Sequence, residues 1–298
     1  MTGVKISVVI PVKNGAKTIQ KCLQGVLNQT LADQLEVIVV DSGSEDGTIE
    51  ILKEFPVRLK QIHPDQFNHG TTRNLGAQMA TGEYIVMTVQ DAIPVDNLWL
   101  EKMIRHFNDP EVAGVCGQQI VPHEPDKNPH EWFRPVNFPS KRSYQFKSKT
   151  EFEELPAKER RSVCGWDDVN ACYRAKVLKE ILPFSEVEFG EDLDWACRAY
   201  LKGFKLIIDS NCRVKHYHHS DYRTHYNRIM KELKMDYNYF GIQPTAVFPL
   251  TKFFKIIYRN FKYSVSPYWI IYNWRLILAE WQARRVITKQ INECLYKK

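Results

Sequence analysis

Carboxylates, one arginine and a group of histidines recur in this chain at places where strands and helices end. Asp91 follows residues 84–89, a short apolar and β-branched run, and Pro94 stops that run from continuing. A carboxylate at the carboxyl end of a strand can hold a hard divalent cation, and the cation can hold a diphosphate. Asp41 ends a similar run, residues 35–40, where it can accept hydrogen bonds from a ribose hydroxyl or a base N–H. Ser42, Ser44 and Asp46 are all cap-formers, so a plain turn also accounts for Asp41. Residues 67–77, FNHGTTRNLGA, bring Gly70, Arg73 and Asn74 just ahead of the Asp91 run. An arginine fork suits phosphate, and an asparagine reaches sugar or backbone. Glu191, Asp192 and Asp194 open a helix whose apolar stripe is Leu193, Ala196, Cys197, Tyr200 and Leu201. The helix dipole favours acids there in any case. Three acids in four positions after Gly190 nevertheless offer a general base. His216 and His218 share one face if their segment is extended, and one of them can complete a metal site with Asp91. Solvated surface histidines are the plain alternative.

These side chains need a scaffold that gathers strand ends. Residues 5–12, 35–40 and 84–89 are near-continuous apolar runs, the pattern of strands buried on both faces. Helical spacing at 16–28, 46–54 and 70–79 alternates with them, which predicts right-handed βαβ units and a mostly parallel sheet in an α/β fold. A weaker strand is expected at 57–62, an amphipathic helix at 98–107 and a strand at 112–120. A strand returning to the sheet edge over 162–174, a helix at 176–181 and a short strand at 206–208 follow. Residues 121–160 are Pro-rich and charged without a clear period, either a mobile substrate-covering segment or local helix. No GxGxxG follows the first strand, and residues 15–18, GAKT, lack the glycine a phosphate loop requires before its lysine. Dinucleotide and P-loop chemistry are therefore set aside.

The 298 residues, 44% hydrophobic and 26% charged, suit one large α/β domain with appendages, or two small domains. No run reaches the ~18 apolar residues needed to cross a bilayer. The N-terminal MTGVKISVVIPV is too short for a signal core and reads as the first strand. Seven scattered cysteines without a CxxC point to a reduced, cytoplasmic compartment and no structural zinc.

Together the residues resemble family 2 glycosyltransferases of the GT-A (Rossmann-like) fold. The resemblance spans roughly residues 5–220 and rests on VVIPVKNGA (8–16), VIVVDSGSEDGT (37–48), TRNLGAQMATGEYIVMTVQDAIP (72–94) and FGEDLDWACRAYLKGFK (189–205). Within the family, FNHGTTRNLGA followed by VQDAIP is most similar to the rhamnosyltransferase-type members that build bacterial polysaccharides. The resemblance implies that Pro11, Val12, Asn14 and Asp41 line the base and ribose, and that Arg73, Asn74 and Gln90 belong to the donor site. It implies that Asp91 is the last Asp of a DxD metal motif whose first Asp is replaced by Val89. His216 would be the distant metal ligand, with His218 as alternative, and the ion would be Mg²⁺ or Mn²⁺. Asp192 would be the catalytic base, with Glu191 orienting it or the acceptor. The implied reaction is inverting transfer of a sugar, from dTDP-L-rhamnose or a UDP-sugar, to a glycan on a lipid carrier. A sugar nucleotidyltransferase and a non-catalytic, membrane-associated assembly subunit are the competing expectations; the first lacks its Gly-rich loop here, and the second is favoured by Val89.

The implied catalytic domain is 1–220, leaving 221–298 as a helical extension. There KFFKIIYRNFKY (252–263) sets Lys252, Lys255, Arg259 and Lys262 on one helical stripe, and Trp269, Trp274 and Trp281 follow. Net charge is +6, with ten Lys or Arg between 252 and 298 against Glu280 and Glu293. A basic aromatic helix reads either as a contact with an anionic membrane at its cytoplasmic face or as packing on the catalytic domain or a second copy in a homodimer. Nucleic acid is not expected, because the aromatics fall in helical stripes rather than on a stacking platform.

Overall fold

The computed structural model describes residues 5–131 and 141–295. The chain forms two compact units, one of residues 1–120, 136–155 and 163–216, the other of 121–135, 156–162 and 217–298. The first unit thus closes just before the boundary read from sequence, and two short excursions belong to the second.

The first unit is built on β1 (Ile6–Val12), β2 (Leu35–Asp41), β3 (Val57–Gln61) and β4 (Tyr84–Thr88), with α1 (Ile19–Leu27), α2 (Thr48–Leu52) and α3 (His69–Met79) between them. These four strands are parallel in the order β3-β2-β1-β4, with Val12 opposite Asp41 at the carboxyl end. Ile6, Val8, Val9 and Ile10 are all fully buried, as a strand covered on both faces requires. Gly76 lets α3 approach the sheet, since a Cβ there would lie 2.3 Å from Val9 Cγ1.

The second half of the sheet is mixed. After β5 (Ile93–Pro94) and α4 (Trp99–Ile104) come β6 (Val112–Ile120), β7 (Lys141–Tyr144), α5 (Lys149–Glu153), α6 (Ala157–Val163), β8 (Asn170–Arg174), α7 (Glu191–Leu201) and β9 (Lys205–Lys215). β8 enters between β4 and β6, antiparallel to both; β6 and β9 are parallel; β5 and β7 are antiparallel to β9. The sheet is therefore parallel on one side of β4 and largely antiparallel on the other. The strand expected from residue 162 begins only at Asn170, because α6 runs to Val163 and residues 164–169 turn. The short strand expected at 206–208 is one long strand that reaches Lys215. The helix expected at 176–181 is one wide turn, Val177–Ile181. The centre of the irregular segment, 132–140, lies outside the described residues.

In the second unit α8 (Tyr222–Phe240), α9 (Leu250–Lys262) and α10 (Tyr268–Leu295) account for most of the chain. α8 and α10 share a small core of Ile229, Leu233, Ala283, Ile287 and Ile291. No helix among the described residues is long and apolar enough to cross a membrane.

Candidate active site

The carboxyl ends of β1, β2 and β4 form one side of the site. Asp41 is fully buried, and its carboxylate accepts from the backbone N–H of Gly43 (3.1 Å) and Ser44 (3.2 Å). Asn14 sits in the left-handed region (φ 49°); its Oδ1 accepts from Glu45 N at 2.9 Å and its N–H donates to Ser44 Oγ at 2.8 Å. Gln90 clasps Lys13, its Oε1 accepting from Lys13 N (2.9 Å) and its Nε2 donating to Lys13 O (3.2 Å). Asn14, Asp41 and Gln90 thus hold the two turns of this rim in place. The Val12 side chain points into the core, so only its backbone faces the rim; Pro11 is half-buried.

Asp91 and His216 meet where β4 and β9 end, with His216 Nε2 3.3 Å from Asp91 Oδ1. Because β9 runs on to Lys215, His216 is delivered beside Asp91 although the two are far apart in sequence. His216 is buried, and its Nδ1 lies 2.7 Å from Gln119 Oε1 at the end of β6. Gln119 Nε2 in turn donates to the Asp167 carboxylate. His218 follows two residues later, is exposed, and belongs to the second unit. One carboxylate oxygen and one imidazole nitrogen side by side suit Mn²⁺, with ligand and water oxygens completing the shell; Mg²⁺ takes nitrogen less readily.

The other side of the site is the start of α7. Gly190, at φ 79°, makes the left-handed turn into it, a conformation that side chains with a Cβ resist. The three acids that follow have different partners. Asp194 is taken by Ser185 Oγ (2.6 Å) and Arg198 Nε (2.7 Å). Glu191 is buried and accepts from Arg73 Nη1 at 2.8 Å. Asp192 stays half-buried, accepting from Leu193 N (2.7 Å) and, at 3.4 Å, from Asp168 N. Burial, then the charges of Glu191 and Asp167, push its carboxyl up to about 7.

Arg73, expected against the donor, is instead buried inside α3 and committed to the protein. Its Nε lies 3.2 Å from Asp168 Oδ2 and its Nη1 bonds Glu191, so it ties α3 to the turn before β8 and to α7. These carboxylates hold the guanidinium firmly protonated against the cost of burial. Asn74, also expected to face the donor, bonds both the N–H (3.0 Å) and C=O (2.8 Å) of Phe184. Both residues position the α7 approach rather than offer free groups to a ligand. Asp168 is the buried partner that sequence reasoning missed. Tyr173 donates its hydroxyl to Asp168 and receives Trp166 Nε1 at 2.7 Å. The doubled acid after Trp166, ahead of a strand, was the available signal.

The two sides are joined. Lys13 bonds Gln90, whose chain neighbour Asp91 meets His216; contacts run from His216 through Gln119 to Asp167, and its chain neighbour Asp168 bonds Asp192 and Arg73, which also bonds Glu191. Carboxylates from distant parts of the chain thus line one rim, with one carboxyl poised to take a proton near neutrality. Residues 7–182 match the model of Glycosyl transferase family 2. The chain belongs to that family. It is a glycosyltransferase of the GT-A fold.

Among curated relatives, it is 32% identical over 230 residues to the O-antigen chain rhamnosyltransferase RfbN of Salmonella typhimurium, covering 75% of this chain and 70% of that one. It is 32% identical over 195 residues to O-antigen chain rhamnosyltransferase WbaN of Salmonella anatum, covering 65% of this chain and 60% of the relative. The mannosyltransferase PcManGT of Pyrobaculum calidifontis, solved with GDP-Man and Mn²⁺, superposes with TM-score 0.57 at 18% identity over 98% of this chain and 81% of that one. S. aureus TarS 1-349 with UDP-GlcNAc superposes with TM-score 0.54 at 16% identity over 97% and 92%. At these identities the two structures speak for the fold alone.

Proposed function

We propose that this glycosyltransferase moves L-rhamnose, with inversion, from dTDP-L-rhamnose to a hydroxyl of a growing, lipid-linked bacterial surface polysaccharide. The observation that carries transfer with a protein base is the half-buried Asp192 carboxyl, pushed up to about 7 at the head of α7. The names of the two rhamnosyltransferase relatives support the sugar and the acceptor class. In this reading the first unit binds the nucleotide against the turns held by Asn14, Asp41 and Gln90, with the backbone of Pro11 and Val12 beneath. Asp91 and His216 would hold a Mn²⁺ or Mg²⁺ ion that neutralises charge on the departing diphosphate. Asp192 takes the proton of the acceptor hydroxyl as its oxygen attacks the anomeric carbon from the face opposite the diphosphate. The C–O bond to the acceptor forms as the C–O bond to the phosphate breaks, and one displacement inverts the centre. Glu191 and Asp168, held by Arg73, fix the helix end and turn that aim Asp192.

The test is release of nucleoside diphosphate from dTDP-L-rhamnose, UDP-sugars and GDP-sugars, each with Mn²⁺, Mg²⁺ or chelator, with and without a lipid-linked glycan acceptor. Faster release from dTDP-L-rhamnose with acceptor and metal, and a product of inverted configuration by NMR, bears the reading out. Retention of configuration removes Asp192 as base, and preference for another donor reassigns the sugar.

A further inference from the structure

We propose that the outer face of α9 docks on an anionic lipid surface. Leu250, Phe254, Tyr258 and Phe261, spaced along one side of the helix, are 58%, 64%, 62% and 77% exposed. The opposite side is turned inward, with Ile256 and Asn260 buried. Four large apolar groups in one ridge are not the scattered exposure of an ordinary surface. The charges sort in the same way. Lys252 is taken by Glu280 at 2.6 Å and Arg259 Nη1 donates to His130 O at 3.0 Å. Lys255 and Lys262 remain exposed along the flank of the ridge, and α9 contains no acid. A membrane interface takes this arrangement directly, with aromatic rings at the acyl boundary and ammonium groups among anionic headgroups. A second copy fits less well, because two α9 ridges face to face would bring lysines together with no carboxylate to meet them. The inference deepens the reading of a lipid-linked acceptor but rests on α9 alone.

The full chain is sedimented with vesicles of phosphatidylcholine, with and without 30% phosphatidylglycerol, at low and high salt. Binding to the anionic vesicles that falls at least tenfold in Phe254→Ser/Tyr258→Ser/Phe261→Ser supports docking. So does loss of the anionic preference in Lys255→Glu/Lys262→Glu. Because all five side chains are exposed, unchanged melting shows that the variants fold. Wild type left in the supernatant overturns the proposal, as does equal binding by the triple variant. A wild-type dimer that the triple variant turns into a monomer overturns it in favour of a protein interface. None of these outcomes depends on which sugar is transferred.

Discussion

Asp192→Asn should do two opposite things, make the enzyme slower and make the protein more stable above neutrality. The Asp192 carboxyl is pushed up to about 7 in the folded chain, while an unfolded aspartate titrates near 3.9. About three pK units at 1.36 kcal/mol each set an upper bound of roughly 4 kcal/mol on the cost of holding this charge. Water reaches the half-buried carboxyl, so about 1–2 kcal/mol is the realistic share. The sign follows from proton binding. Between pH 4 and 7 the folded state holds the proton more tightly, so this residue's contribution to stability falls as pH rises through that window. Above pH 7 the whole cost is present, and asparagine removes it while keeping an oxygen for the N–H of Leu193, losing only the longer bond from Asp168 N. Melting should rise by a few degrees at pH 8 and change little at pH 4. In the same variant, transfer should fall by about 10²–10⁴, the usual contribution of a general base, with donor affinity within a factor of two. The wild-type rate should climb with pH through a limb near 7. A variant that melts lower at pH 8, or a wild-type limb near 4, refutes the assignment of this carboxyl. A loss confined to donor binding would make Asp192 a binding residue instead.

Arg73→Met should be far more damaging than its distance from solvent suggests, because it strands the buried carboxylates of Asp168 and Glu191; a loss of about 3–5 kcal/mol is expected in chemical denaturation. Gly190→Ala forces a left-handed residue to carry a Cβ, at a cost of about 1–2 kcal/mol, and should lower kcat more than it raises KM for donor as the α7 end shifts. Asp91→Ala should raise the Mn²⁺ concentration for half-maximal activity at least tenfold, and excess chelator should abolish wild-type transfer.

The parallel half of the fold was legible because β1, β2 and β4 are buried on both faces and carry that fact as unbroken apolar runs. The acids at the head of α7 were legible too, since they outnumber what a helix start needs. In the mixed half β6 was legible residue for residue and β9 only in part. β5 and β7 are too short to show a period, and β8 hides behind the turn that holds Trp166 and Asp168. Arg73 illustrates the deeper limit. A guanidinium next to a loop reads as a ligand for phosphate, and nothing local reveals that Glu191, 118 positions later, has claimed it. Whether a charge faces solvent or another charge is a property of long-range pairing, and the same holds for Asn74 and Phe184.

The change of strand direction at β4 has a practical consequence. Every residue of the nucleotide-side turns lies before position 92, and every group that aims Asp192, apart from Arg73 and Asn74, lies after position 165. A recombinant spliced inside α4 between two related chains would inherit its donor-facing turns from one parent and its proton acceptor from the other. Arg73 with its two acidic partners, and Asn74 with Phe184, are then ties that both parents must share for the hybrid to close.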